Sequence, residues 1–264
     1  MEISGYETLQ LCQEGPVLTI TLNRPELRNA TNNRMEQELC RAFAEVNHDA
    51  ETLVVVLTGA GEVFSAGGDF EYIRENLANP SMGWNAARWG KQIVFTLLDC
   101  SKPVIAKING HAVGFGATLA LFCDITIAAN QAKIGDPHVS VGLVAGDGGA
   151  VIWPQLIGYS RAKEYLFTGE PLLAPEAARI GLINRAVPAD ELDKAVQDFA
   201  LKLASMPPRA MQWTKASVNI GLKQLAHTIL DASMAYELVS IATEDHHEAM
   251  AAIQEKRAPK FTGR

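Results

Sequence analysis

The chain has 264 residues, 48% of them hydrophobic and 20% charged, with a formal net charge of −7. That balance suits one large core or two modest domains of a folded enzyme and excludes a disordered tail. It also argues against nucleic acid or an anionic membrane as the main partner, because both need a positive surface field. Met1–Gly5 lacks the basic and apolar regions of a signal peptide, and no window approaches the roughly 18 uninterrupted apolar residues of a membrane span, so a cytoplasmic location is expected. Cys12, Cys40, Cys100 and Cys123 are far apart with no Cys-x-x-Cys pair, which points to free thiols and to no metal site.

In chain order, Thr8–Gln13 and Val17–Asn23 read as antiparallel strands turned at Glu14-Gly15-Pro16. Met35, Leu39, Phe43 and Val46 recur at helical spacing within 32–48, and Leu53–Thr58 is a β-branched run suited to a buried strand. The rhythm repeats. A helix through Ile93, Val94, Leu97 and Leu98 is followed by a strand at Pro103–Ile108, a short helix at Gly116–Phe122 and a strand at Asp124–Ala128. Such strand-then-helix units imply a layered α/β core. Beyond Pro188 the pattern becomes helical: a helix through Leu192, Val196, Phe199 and Leu203, then Met211–Leu222, Leu225–Ser240 and Asp245–Lys256, with Pro207-Pro208 as the clearest breaker. The expected division is an α/β core over 1–188 and a helical region over 189–264 that packs on that core or on a neighbouring subunit.

Two glycine-rich turns, Phe64-Ser65-Ala66-Gly67-Gly68-Asp69 and Asn109-Gly110-His111-Ala112-Val113-Gly114-Phe115-Gly116, each follow a β-branched strand and end where a helix should begin. Small residues allow close backbone approach, and a helix N-terminus offers unpaired N–H groups, so two such turns meeting at one point would hold an oxyanion. Gly59-Ala60-Gly61 lacks the third glycine of a dinucleotide loop, and neither Ser65 nor Ser140 has the setting of a nucleophile elbow.

Together with these turns, Asn23-Arg24-Pro25-Glu26, Arg28-Asn29-Ala30, Ile108-Asn109-Gly110, Cys123-Asp124, Gly148-Gly149 and Glu176-Ala177 through Asn184 resemble the enoyl-CoA hydratase/isomerase, or crotonase, family over nearly the whole chain. The resemblance implies a crotonase-like spiral of ββα units, a homotrimer or dimer of trimers, and an acyl-CoA substrate, with coenzyme A as part of the substrate and no permanently bound cofactor. By position it implies Ala66 and Phe115 as the N–H donors to the thioester oxygen. It places coenzyme A near Arg28, Ala30, Phe64, Gly67, Gly68 and Asp69, with Lys260 and Phe261 of the basic tail as further candidates.

The two glutamates of the family's hydratases fall on Thr118 and His138. A neutral hydroxyl cannot serve as a base at neutral pH, whereas an imidazole can act as base or acid there. With Asp147 nine residues on and the elements Gly146-Asp147-Gly148 and Trp153-Pro154, the pattern is similar to the superfamily's cyclic β-diketone hydrolases, in which a His–Asp pair acts on water. Asp147 is then expected to orient His138. Phe115 stands where those hydrolases use a histidine to grip the carbonyl. Three outcomes follow: an acyl-CoA enzyme with weak activity on crotonyl-CoA, a carbon–carbon hydrolase of a cyclic β-diketone or 3-oxoacyl-CoA, and a non-catalytic acyl-CoA-binding protein. Asp147 alternatively caps a helix, and His111, His246 and His247 read as structural.

Overall fold

The protein is described by a computed structural model covering residues 4–69, 71–73 and 80–264, with only the backbone considered at 80–84 and 86. Strands β1 (Leu9–Glu14) and β2 (Val17–Leu22) form the opening antiparallel hairpin, and Asn32 caps helix α1 (Asn33–His48) by accepting from the Met35 N–H at 3.0 Å. Then come β3 (Val54–Gly59), α2 (Pro80–Asp99), β4 (Val104–Ile108), β5 (Ala112–Val113), α3 (Phe115–Leu121), β6 (Ile125–Ala129) and β7 (Lys133–Gly135). A 3-10 turn at His138–Val141 leads to α4 (Gly149–Ile157), α5 (Tyr159–Thr168), β8 (Leu172–Leu173), α6 (Ala174–Arg179) and β9 (Arg185–Val187). Helices α7 (Leu192–Ala204), α8 (Pro208–Ile241) and α9 (Glu244–Glu255) complete the chain.

The strands make a six-stranded sheet in the order β1-β2-β3-β4-β6-β9, parallel from β2 onward, and a three-stranded sheet in the order β5-β7-β8. Successive units therefore send one strand to each sheet: β4 then β5, β6 then β7. This is the ββα spiral. β3 is buried throughout, as a parallel strand covered on both faces must be. On one face Leu18, Ile20, Val55, Leu57 and Ala106 join the main core with Phe43, Ile93, Leu97 and Trp153. On the other, Val54, Val56, Ile105 and Ile127 pack under Leu192, Val196 and Ala200 of α7. That helix thus seals the second face of the sheet in its own chain.

The expected break between Leu222 and Leu225 is absent. Lys223 and Gln224 are good helix formers, and the two expected helices are one 34-residue element that begins with Pro208 at its first position. α8 is fastened across the core by Asn219 Nδ2 donating to the Leu98 carbonyl at 3.0 Å and by Ser233 Oγ donating to the Gly146 carbonyl at 2.8 Å. Helix α4 follows the Asp147 turn, where a capped helix is one expectation, and it is too uniformly apolar to show helical periodicity. The four cysteines are free, and among the described residues no helix is long and apolar enough to cross a membrane.

Candidate active site

The two glycine turns meet. Ser65 pairs with Ala112 in an isolated bridge, and the Val113 N–H donates to the Ser65 carbonyl at 3.0 Å. Gly67 sits at φ +92, and a Cβ there would lie 2.9 Å from the Val113 carbonyl oxygen and 3.5 Å from the Phe115 nitrogen. Only glycine combines that backbone with that approach.

Ala66 is not one of the donors at this junction. Its N–H is engaged by the Arg28 carbonyl at 3.0 Å, because the left-handed backbone at Arg28 and Asn29 turns that carbonyl toward it. Thr31 N–H donates to Gly67 O at 2.7 Å and Asp69 N–H to Thr31 O at 2.9 Å, so the intervening Gly68 N–H points away from this bridge and has no partner among the described residues. Phe115 opens α3, where an N–H lacks an intrahelical acceptor. Gly68 and Phe115 both line a cavity of about 210 Å³. They, rather than Ala66 and Phe115, form the pair of open donors. The Phe115 ring is itself buried in the core, so this position presents only backbone to a carbonyl.

His138 lines the same cavity at the start of the 3-10 turn. Its Nδ1 lies 2.5 Å from Oδ1 of Asp136, so the neighbouring carboxylate, not Asp147, orients the ring. The reason is local: Pro137 and the tight turn fold Asp136 back onto the imidazole two residues later, while Asp147 arrives from the next loop on the opposite side. Asp136 Oδ2 sits over the first residue of α4, where a Cβ on Gly149 would be 2.1 Å away, and it is buried with no hydrogen-bond partner among the described residues. On the Nε2 side, Asp147 Oδ2 is 3.4 Å away and Glu237 Oε1 3.9 Å. Thr118 Oγ1 donates to Asp147 Oδ1 at 3.1 Å. Gly148 holds the N-cap position of α4, while the backbone N–H of Gly149, the first residue of that helix, acts on Asp147.

These contacts divide the protons. Burial works against a charge on His138, but Asp136 and Asp147 outweigh it and hold the imidazole well above its ordinary value. Burial pushes Asp147 up to about 6, against the pull of the His138 charge. Burial and the nearby Asp147 push Glu237 up to about 8. Near neutrality the set is an imidazolium, a carboxylate at Asp147 and a carboxylic acid at Glu237. The ligating atoms of Asp136, His138 and Asp147 lie within 4.8 Å of one another, but the 2.5 Å contact of Nδ1 with Oδ1 is a hydrogen bond, closer than two ligands can approach around a metal.

The remaining predicted residues fall into two groups. Phe64 is fully buried beneath the turn, the Ala30 carbonyl accepts from Arg24 at 2.6 Å, and Asp69 pairs with Arg24 at 2.8 Å, all of which fix the turn; Arg28 is exposed beside it. Lys260 and Phe261 lie elsewhere. The tail is tied to α9, with Lys260 N–H on Glu248 at 2.8 Å and Thr262 N–H on Asp245 at 2.6 Å, and Lys260 borders a separate surface recess. His111 accepts from the Lys133 N–H at 3.1 Å, and His246 Nδ1 contacts the Val141 carbonyl at 2.7 Å.

Asp136, Glu237 and Glu36 are the site carboxyls that sequence reasoning missed. Glu237 lies in the stripe Met234, Leu238, Ile241 of α8, and Glu36 in the stripe Leu39, Cys40, Phe43 of α1. An acid inside an apolar stripe is the signal that would have found both.

Comparison with known proteins agrees with this architecture. A family model described as enoyl-CoA hydratase/isomerase matches residues 13–264. A short-chain-enoyl-CoA hydratase of Clostridium acetobutylicum is 37% identical over 250 residues, covering 93% of this chain and 94% of that protein. A 1,2-epoxyphenylacetyl-CoA isomerase of Escherichia coli is 34% identical over 253 residues, covering 95% and 97%. A crystal structure of an enoyl-CoA hydratase/isomerase from Mycobacterium paratuberculosis superposes with a TM-score of 0.88 at 36% identity, over 92% of this chain and 97% of that one. With the spiral, the paired turns and these likenesses all in agreement, the chain belongs to the enoyl-CoA hydratase/isomerase family.

Proposed function

We propose that the protein acts on an acyl-CoA thioester and moves water across the double bond next to the thioester. The thioester oxygen sits between the N–H groups of Gly68 and Phe115, which stabilise the enolate formed when water attacks. Asp147 takes a proton from the water, whose oxygen bonds to the β-carbon; His138 gives its Nε2 proton to the α-carbon. Transfer of the proton from Asp147 to His138 then restores both groups, and one water has been added.

The observation that carries this reading is the opposite displacement of two groups 3.4 Å apart, an imidazole held protonated and a carboxylate at about 6. Groups whose environments push their proton affinities apart are suited to the roles of acid and base. On this reading crotonyl-CoA is a good substrate, in place of the weak activity expected from Thr118. Asp147, held by the Thr118 hydroxyl, supplies the second acid–base group in place of the glutamate that Thr118 replaces. Relatives named as hydratases of enoyl-CoA and crotonyl-CoA support the substrate class. In the same reading the protein is a homotrimer or dimer of trimers, and Lys260 and Phe261, outside the pocket of their own chain, serve the coenzyme A of a neighbouring protomer.

A second reading is carbon–carbon hydrolysis of a 3-oxoacyl-CoA, with the same pair activating water against a ketone. It is kept because the His138–Asp147 contact suits that step too. Incubation with crotonyl-CoA and with acetoacetyl-CoA, followed by mass spectrometry of the products, separates the two: a hydroxyacyl-CoA supports hydration, and two shorter acyl fragments support cleavage. His138→Ala should lose roughly 100-fold or more of the rate. Binding of these esters with no product from either would favour the non-catalytic binding protein, and full activity in His138→Ala would overturn the assignment of the acid.

A further inference from the structure

Helix α1 turns Met35, Leu39, Cys40 and Phe43 into the core, and Glu36 is on that buried side with only 6% of its surface exposed. A leucine would fill such a position without penalty, whereas an ionised carboxylate needs a cation. Among the described residues no lysine, arginine or histidine pairs with Glu36. Its one partner among the described residues is the Tyr72 hydroxyl, which donates to Oε2 at 3.0 Å. Oε1 has no partner among the described residues, and Glu36 lines the cavity together with Tyr72, Ile73, Ala87, Leu238 and Ile241. Most of these lining residues are apolar, and the carboxyl has one oxygen left to offer a ligand.

We propose that Glu36, fixed by Tyr72, recognises the acyl group and selects one that carries an uncharged oxygen, a carbonyl or a hydroxyl, beyond the carbons that react. The inference rests on the acyl-CoA reading above and specifies its substrate class. Burial pushes the carboxyl up to about 8, so near neutrality it is an acid with an O–H to donate. With a plain hydrocarbon chain in the pocket that donor stays unpaired against apolar carbon, which costs binding. An acyl chain ending in a carboxylate must shed its hydration and bring a second negative charge into the cavity that holds the ionised Asp147. An uncharged acceptor oxygen satisfies the site without either cost.

The test is calorimetric binding of saturated CoA esters of equal chain length: pentanoyl-CoA, levulinoyl-CoA with one ketone, ω-hydroxypentanoyl-CoA with one hydroxyl, and glutaryl-CoA with a carboxylate. The wild type should bind at least one of the two oxygenated esters about 10-fold or more tighter than pentanoyl-CoA, and glutaryl-CoA weakest, as expected for one buried hydrogen bond. Glu36→Leu should abolish or invert that order, and Glu36→Gln, which keeps a donor of similar shape, should retain most of it. Pentanoyl-CoA bound by the wild type as tightly as both oxygenated esters would overturn the proposal, as would an unchanged preference in Glu36→Leu. Because the wild-type order is decisive by itself, poor folding of the leucine variant does not weaken the test. Failure of the wild type to bind any of the esters is a different result, and it overturns the acyl-CoA reading together with the proposal.

Discussion

Replacing Glu36 by glutamine should make the folded protein more stable at alkaline pH and leave it nearly unchanged at acid pH. In the unfolded chain the carboxyl titrates near 4.5, and in the folded protein burial pushes it up to about 8. Between those values the native state holds a proton that the unfolded chain has released, so stability falls as pH rises through this window and levels off above about 8. Each tenfold change in proton affinity corresponds to about 1.4 kcal/mol, which makes the full penalty on the order of 5 kcal/mol. Glutamine keeps the shape and an acceptor for Tyr72 but cannot ionise. Urea unfolding of both proteins at fixed concentration, from about pH 5 to about pH 9, should therefore show the variant gaining about 4 kcal/mol on the wild type. Asp147, Glu237 and His138 titrate in both proteins, so the difference between the two curves isolates Glu36. A gap constant to within about 0.5 kcal/mol across this range would show that Glu36 ionises freely in the native state, and the argument from burial would fail.

Asp147→Asn should lower kcat/KM on the hydrated substrate roughly 100-fold, and the acid side of the wild-type pH profile should fall about tenfold per pH unit below about 6, where Asp147 takes up its proton. That limb should vanish in the variant; an unchanged limb in stopped-flow or steady-state rates would assign the base elsewhere. Thr118→Glu, which would restore a carboxylate where the family's hydratases have one, should lower activity instead of raising it. Its side chain would displace the hydroxyl that Asp147 accepts from and crowd Gly148, where even a Cβ would come within 2.6 Å of Thr118 Cγ2; faster hydration of crotonyl-CoA would refute this. Asn29→Ala should destabilise thermal unfolding by about 3 kcal/mol. The Asn29 side chain accepts from Arg24 N at 3.0 Å and donates to the carbonyls of Ala60 at 2.9 Å and Val63 at 2.8 Å, and its left-handed backbone suits asparagine better than alanine. A loss under about 1 kcal/mol would mean that water replaces these bonds.

The strand runs at Leu53–Thr58 and Pro103–Ile108 are legible because a parallel strand covered on both faces must be apolar without interruption. Pro207-Pro208 is legible for an equally local reason, the ring that fits the first turn of a helix and no later one. The donors are a harder case. Both glycine turns stand out in the sequence, yet whether Ala66 or Gly68 presents an open N–H depends on where the Arg28 carbonyl points, and that follows from two consecutive left-handed residues, neither a glycine. The same limit applies around His138. The pairing of His138 with Asp147 is what the family resemblance implies, but which ring nitrogen each carboxylate meets is decided by the 3-10 turn. Glu237 reaches the pocket from α8, and only its place within an apolar stripe marks it.

Three acids around one imidazole would repel one another if all were ionised, and the fold resolves this by giving each a different environment. Asp136 lies against Nδ1 at 2.5 Å and holds the ring. Asp147 has the Thr118 hydroxyl on one oxygen and Nε2 facing the other, which leaves it ionised near neutrality yet able to accept a proton. Glu237 has only the more distant Nε2 of His138 at 3.9 Å and the Gly146 backbone, and burial drives it toward its neutral form. The imidazolium of His138 and the carboxylate of Asp147 then stand beside a pair of N–H donors awaiting an oxyanion. A reaction that passes a proton between water and the carbon next to a thioester can use this arrangement without creating an unpaired charge at any step.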